Sequence, residues 1–592
     1  MSFFVADNKI PITQKSIGIP ATNGLSYNPG QQIDFYVDPQ QVKFFNPKNS
    51  YLSFDVKIQM KGDTTGQLTR LMLDSHIGAQ SLIKEIRIFD GSNNALLEEI
   101  VGYNINTMVK YDYECNDSLR NKRALSEGAG YRGMNEGSQG TTESFQNSAI
   151  NQYSRPNADT TQSASLINAS YQDCKVCLPL NTGIFSNDKI FPCMLTSGLR
   201  ITILLEDSIR CIRQMEGAMV NRKTPLNPFI HSKNGCATNA NGSFSAGTNH
   251  NTIYLENFNG YTNPEFLPFV VGESIGFYKL GTAGAGTFVE MRAGAVGTYP
   301  VITEIGLDTV NARTLVKLTT TNFSLTASLA TNSNASHVIF TKSADVGTLT
   351  ATYKLNNVEL YLEVVDMGAN YENDMMRKMR EGGTINYDFL SVTNYRYSQL
   401  SSDIVANIQI PIENRRMRSI LCVPTDSSNY TQVQVLTASG TYVEETMSNA
   451  LTEGRYRNVV MNQDRCGLAG CSDFITSYQF LYDGKLQPSR LVNCSKTSSK
   501  KSISQQHLIE LEKSLSSANI TGQSLLEFNR NFIIGRSLTA GQNGTYDGRG
   551  KQFSLQVNYQ GTDAPTKNKL WNSFVYHIRR MVIKGDSIFV EV

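Results

Sequence analysis

Hydrophobic and polar residues alternate along much of this chain with the period of two that places every second side chain on one face of a β-strand. Tyr51 to Met60 is the clearest run. Leu52, Phe54, Val56, Ile58 and Met60 are set to face a core, and Ser53, Asp55, Lys57 and Gln59 to face away. The alternation returns at Val358, Leu360, Leu362 and Val364, with Glu359, Tyr361 and Glu363 between them, and again at Phe553, Leu555, Val557 and Tyr559. Strands of this kind belong to antiparallel sheets with one packed and one wetter face. Helical signals are few and short. One follows Ser502, where Gln505 completes a capping-box pattern and Leu508, Leu511 and Leu515 share a face. A second runs from about Leu97 to Tyr111. A third, Tyr371 to Arg380, is stopped by Gly382 and Gly383 and reads as a domain junction. Helices placed this way disfavour a regular βαβ repeat and the α/β enzyme core built on it.

The two halves of the chain echo one another. Ile86 to Gly91 and Tyr478 to Gly484 are both apolar strands running into an Asp-Gly turn, each followed by a helix candidate. Further on, Leu199, Ile201, Ile203 and Leu205 in the first half correspond to Phe553, Leu555 and Val557 in the second. The expected architecture is all-β: two related β-rich units in tandem with short helices in their loops. Residues 1–30, with Pro11, Pro20 and Pro29, read as an extended arm without a core of its own. The first unit is expected over 31–380, including a β-rich insertion at about 212–352 where Gly, Ala, Thr and Asn accumulate, and the second over 381–592.

Composition narrows the function classes. A chain of 592 residues exceeds one core, and 54 basic against 52 acidic residues leave a net charge of +2, without the electrostatic footprint of a nucleic-acid wrapper. Apolar stretches such as Phe266 to Val271 are too short to cross a bilayer, and Met1 to Asp7 lacks the basic and apolar segments of a secretory signal, so synthesis inside a cell is expected. Ten scattered cysteines do not form a disulfide framework. The sequons at Asn168, Asn334 and Asn543 carry little weight without such a signal.

The candidates for chemistry are weak. Gly272-Glu-Ser-Ile-Gly276 fits the pattern of a nucleophile elbow around Ser274, but an elbow must open a helix, and Phe277-Tyr-Lys-Leu-Gly281 starts one poorly. Cys174 and Cys177 form a lone C-x-x-C; Cys193 and Cys211 are the nearest further thiols, with no histidine nearby. Cys466 and Cys471 flank a glycine turn. The six histidines, His76, His231, His250, His337, His507 and His577, are dispersed. Gly281 to Gly286 lacks the Lys-Ser/Thr ending of a phosphate loop. The basic clusters Asn414 to Arg418, Lys496 to Lys501 and His577 to Arg580 read as solvated edges and loops before phosphate sites. No residue is assigned as catalytic, cofactor-binding or metal-binding, and no cofactor is expected.

Ser81 to Ile100, Leu178-Pro-Leu180, Gly183 to Ser186, Lys189 to Pro192 and Leu199 to Leu205 resemble the first jelly roll of major capsid proteins of polinton-like viruses and virophages. Tyr353 to Leu360 is similar to the strand that closes that unit after a variable insertion. The resemblance implies a double jelly roll and a structural role, not an enzyme. It further implies trimers of pseudo-hexagonal outline that tile an icosahedral shell in the virion, with penton and minor capsid or cement proteins as partners. The rival reading is a β-rich receptor- or carbohydrate-binding spike module, against which the single tryptophan, Trp571, offers little material for an aromatic platform.

Overall fold

A computed structural model of the chain describes residues 13–61, 70–114, 174–215, 350–427, 475–494, 505–521, 531–539, 544–559 and 568–591, with shorter runs between 123 and 128, 244 and 341, and 432 and 470, each with a few gaps. The first eight strands of the barrel framework are β1 (Thr13–Pro20), β2 (Gln32–Val37), β3 (Phe45–Lys61), β4 (Ile83–Asp90), β5 (Leu96–Val101), β6 (Cys174–Pro179), β7 (Leu199–Leu205) and β8 (Thr350–Asp366). They pair antiparallel in two sheets, ordered β1-β8-β3-β6 and β2-β7-β4-β5. The chain changes sheet at every connection except the hairpin between β4 and β5.

The next eight are β9 (Thr384–Gln399), β10 (Val405–Ile410), β11 (Met417–Asp426), β12 (Ile475–Tyr482), β13 (Lys485–Asn493), β14 (Ile534–Ser537), β15 (Phe553–Tyr559) and β16 (Lys569–Lys584). Their sheets run β9-β16-β11-β14 and β10-β15-β12-β13. Adding eight to every label of the first set reproduces the second. Eight antiparallel strands in this order, in two facing sheets, define the jelly roll. The chain is a double jelly roll.

Alternation carries each barrel, as expected. In β3, Leu52, Phe54 and Val56 are buried, and in β8 so are Val358, Leu360, Leu362 and Val364, while Glu359, Tyr361 and Glu363 stay half-buried. Phe553, Leu555, Val557 and Tyr559 fill the second barrel from β15. The echo seen in the sequence pairs true equivalents: Ile86 to Asp90 lies in β4 and Tyr478 to Tyr482 in β12, and β7 corresponds to β15.

Among the described residues, three helices longer than a single turn sit in connections: α1 (Tyr103–Glu114), α2 (Ala369–Arg380) and α3 (Gln505–Ser517). The last two fall where periodicity placed them, although Ser502 lies outside the described residues. The helix expected from Leu97 begins later. Leu96–Val101 is a strand zipped to β4, and the chain turns at Gly102, with φ of 75°, before α1 starts. The stretch read as an arm also differs. From Thr13 to Pro20 it is β1, paired residue for residue with β8, and Ile19 and Tyr27 are buried in the first core. The edge of a sheet supplied the core that the prolines gave no sign of.

Between β7 and β8 the chain forms further strands, among them an antiparallel sheet in which Arg313–Leu325 lies between His250–Leu255 and Ile302–Val310. The chain leaves and re-enters the barrel at a clasp in which the Tyr353 hydroxyl donates to the carbonyl of Glu206. A short C-terminal strand, β17 (Ser587–Glu591), pairs with the end of β16.

The two Asp-Gly turns are equivalent but not equally constrained. A Cβ on Gly91 would lie 1.7 Å from the Ser197 carbonyl oxygen, whereas Gly484 meets nothing within 4 Å and only its φ of 68° disfavours a side chain. Gly91→Ala is expected to cost about 3 kcal/mol and Gly484→Ala about 1 kcal/mol, read as shifts in chemical denaturation midpoint.

A buried seam between the barrels as the candidate functional site

The first barrel meets the second along β5 and α1, which pack on β9 and β16. Two adjacent acids, Glu98 and Glu99, occupy β5, and the strand's position makes Glu98 the inward one. Its carboxylate accepts from the backbone N–H of Gly183 (2.7 Å) and Ile184 (3.0 Å) and from the Ser391 hydroxyl of β9 (2.9 Å). Burial raises its pKa, opposed by these donors and by the nearby Arg579 guanidinium. Arg579, on β16, donates to the Leu96 carbonyl (3.0 Å), and burial lowers its pKa against the pull of Glu98 and Glu99. A buried acid and a half-buried base thus face each other across the seam, each held by hydrogen bonds as well as by charge.

Further along, Asn394 of β9 donates to the Val101 carbonyl (2.9 Å) and to Asn572 (3.0 Å). The Tyr576 hydroxyl donates to Asn106 of α1 (2.6 Å), and Asn531 donates to Asp112 (2.7 Å). Helix α1 is buried on nearly all sides. Ile105, Met108, Val109, Tyr111 and Tyr113 join the second barrel's core, and Tyr387, Phe389, Met581 and Ile583 of β9 and β16 join the first. The apolar interior is therefore shared, and the barrels are one packed body at this seam. Elsewhere on α1, Tyr103 donates to Gln80 (2.8 Å) and Tyr111 to Glu127 (3.0 Å). Burial pushes the Glu127 carboxyl up to about 7, although Arg123 stands beside it.

The candidates for chemistry are not brought together here. Ser274 lies outside the described residues, and Ile275–Lys279 directly after it is a strand, not the helix an elbow opens. Cys174 and Cys177 both lie on β6, and the side chain of Cys174 is outside what the structure describes. Cys177 touches Ser53, Cys193 is a buried thiol, and the buried Cys211 thiol donates to the Asp207 carbonyl (3.4 Å). Among the described residues no group of three or more His, Cys, Asp or Glu is placed to hold a metal ion. Cys466, Lys496 to Lys501, His76 and His231 lie outside the described residues.

Two basic clusters turn out to be structural. Arg580 pairs with Asp388 across the sheet (2.6 Å), Arg416 pairs with Glu591 (2.9 Å), and Arg579 faces the seam. Trp571 is fully buried and donates to Gln399 (2.7 Å), so it supplies no surface platform. No described helix is long and apolar enough to cross a membrane.

No family model matches the chain, and no curated protein matches it. Solved structures do. The Faustovirus major capsid protein is 9% identical with 99% of this chain and 93% of that one covered, at a TM-score of 0.46. A chain of the Sputnik virophage is 10% identical, with 100% and 90% covered and a TM-score of 0.40. The mavirus major capsid protein is 9% identical, with 98% and 90% covered and a TM-score of 0.30. The jelly-roll assignment itself rests on the strand order above.

His507 and His577 are both buried and both held to a pKa of about 3, by burial alone for His507 and by burial reinforced by Arg579 for His577. His507 Nδ1 pairs with the Tyr478 hydroxyl and His577 Nε2 with Thr393 Oγ1, each at 3.0 Å. Between the ordinary value of 6.5 and about 3, the unfolded chain binds protons that the folded one refuses, so their stabilisation is complete above pH 6.5 and lost as pH falls toward 3. The stability gap between wild type and His577→Gln should therefore be widest above pH 6.5 and narrow at pH 4.5, in urea titrations at both values. A gap independent of pH would contradict this assignment. At the seam, Glu98→Ala strands two buried N–H groups and Arg579, and should cost about 3 to 5 kcal/mol.

Proposed function

We propose that this chain is the major capsid protein of a double-stranded DNA virus, a structural subunit that works by self-assembly and not by catalysis. The observation that carries the reading is the eight-strand order occurring twice, with the two barrels locked by a buried seam. A subunit of this kind presents two nearly equivalent barrels at a fixed angle, so three copies around one axis give six barrel positions and a pseudo-hexagonal outline that tiles a closed shell. On this reading the division falls at about residue 380, with the first barrel, β1 included, before it and the second over 381–592. The partners are further copies of the chain, together with penton and minor capsid or cement proteins, and the protein resides in the virion after synthesis in the host cell.

Purified protein should sediment as a trimer at micromolar concentration and show pseudo-hexagonal particles by negative-stain microscopy. A monodisperse monomer across the salt and pH range would sink the reading. A specific hit on a glycan array from such a monomer would favour the spike module instead.

A further inference from the structure

A carboxyl that takes no part in joining the barrels is sealed into the first of them. Glu127 belongs to the connection between α1 and β6, and only 2% of it is exposed. It sits where three elements meet: the short 3-10 helix Ala79–Leu82, helix α1 and the end of β6. Its Oε2 accepts from the Tyr111 hydroxyl (3.0 Å) and from Gln80 Nε2 (3.3 Å). Those donors are themselves held in place. Gln80 also donates to the Pro179 carbonyl (2.8 Å) and accepts from Tyr103 (2.8 Å), while Asn181 donates its side-chain amide to Tyr111 (3.1 Å) and its backbone N–H to Tyr103 (2.9 Å). We propose that Glu127 is a latch that docks residues 123–128 on the first barrel, and that taking up a proton tightens it.

The direction follows from what surrounds the carboxyl. The titratable groups that face it are Arg123 on its own segment and Tyr103 and Tyr111 on α1. Gln80 and Asn181, from the other two elements, are uncharged. Arg123 is shared with Glu114 of α1, which Lys110 also faces. The Arg123 Nε lies 3.7 Å from Glu127 Oε1, beyond hydrogen-bond length, and its guanidinium carbon lies 3.3 Å from the centre of the Tyr111 ring. One cation is thus spread over two acids and an aromatic face. An ionised Glu127 carries a buried charge that this arrangement offsets only in part. A proton on Oε1 removes the charge and leaves Oε2 free to accept both hydrogen bonds.

The carboxyl stands at about 7 when docked, pushed up by burial, and returns to its ordinary 4.5 when the segment is released into water. Docking therefore takes up a proton between these values. Its contribution is complete below pH 4.5 and lost as pH rises to about 7, by up to about 300-fold in the docking equilibrium. The buried histidines respond in the opposite sense, losing their contribution on acidification, so the two effects separate by sign as well as by place.

The test is hydrogen exchange of the full chain, read by mass spectrometry on peptides covering residues 123–128 and corrected for the intrinsic pH dependence of exchange. Wild-type protection there should fall at least about tenfold between pH 5 and pH 8. Glu127→Gln keeps the carbonyl acceptor and never ionises, so its protection should stay within about twofold across that range. Glu127→Ala loses the acceptor and should be at least about tenfold less protected than wild type at pH 5. Tyr111→Phe removes a donor that favours the charged form, so the fall should extend to higher pH. If Glu127→Gln does not fold, that extension decides. Wild-type protection that does not change with pH, a fall that survives in Glu127→Gln, or an unmoved fall in Tyr111→Phe would overturn the inference. The result is independent of whether the chain assembles, so the capsid reading stands or falls separately.

Discussion

The structure depends on burying one edge of the first barrel in the second. A β-sheet edge exposes unpaired backbone and invites uncontrolled association, so a protein with two sandwiches has four sheets' worth of edges to manage. Here β5 and α1 are enclosed by β9 and β16, and their polar groups are satisfied by partners from across the seam: Glu98 by Ser391, Val101 by Asn394, Leu96 by Arg579. Once that enclosure is made, the orientation of one barrel to the other is set, and every other exposed surface is placed by it.

Buried polar contacts at such a seam act more on geometry than on net stability. Moving Glu98 and Arg579 out of water is expensive, and their hydrogen bonds mainly offset that cost. What they add is uniqueness, because a slip of β5 along β9 by one residue would part Glu98 from Ser391 and Arg579 from the Leu96 carbonyl. The apolar residues crossing between cores, Tyr111 and Met108 in one direction and Tyr387 and Met581 in the other, supply most of the adhesion.

The barrels were legible in the sequence because alternation and turn chemistry are local. Leu52 to Val56, Val358 to Val364 and the Asp-Gly turns at Gly91 and Gly484 announce themselves within ten residues. The seam was not legible for the opposite reason. Glu98, Asn106, Asn394 and Tyr576 read as ordinary surface residues, and only tertiary contact between positions hundreds apart makes them interior. A signal did exist at β5, where Leu97, Glu98 and Ile100 are all buried against strict alternation, but the same run of apolar residues imitates the start of a helix. The helix expected from Leu97 was that imitation. The arm misled differently: β1 has only one strongly buried side chain, Ile19, so its membership of the sheet rests on backbone pairing that side-chain patterns do not record.

The clasp between Tyr353 and Glu206 separates two kinds of sequence. On one side lie strands whose length and register are fixed by sixteen-fold mutual pairing; on the other lies a segment whose ends are already tied together. Because the loop is closed at its base, lengthening it adds only about 0.6 kcal/mol of entropy per doubling. The framework can therefore keep its geometry while this segment diverges, lengthens or carries a grafted peptide.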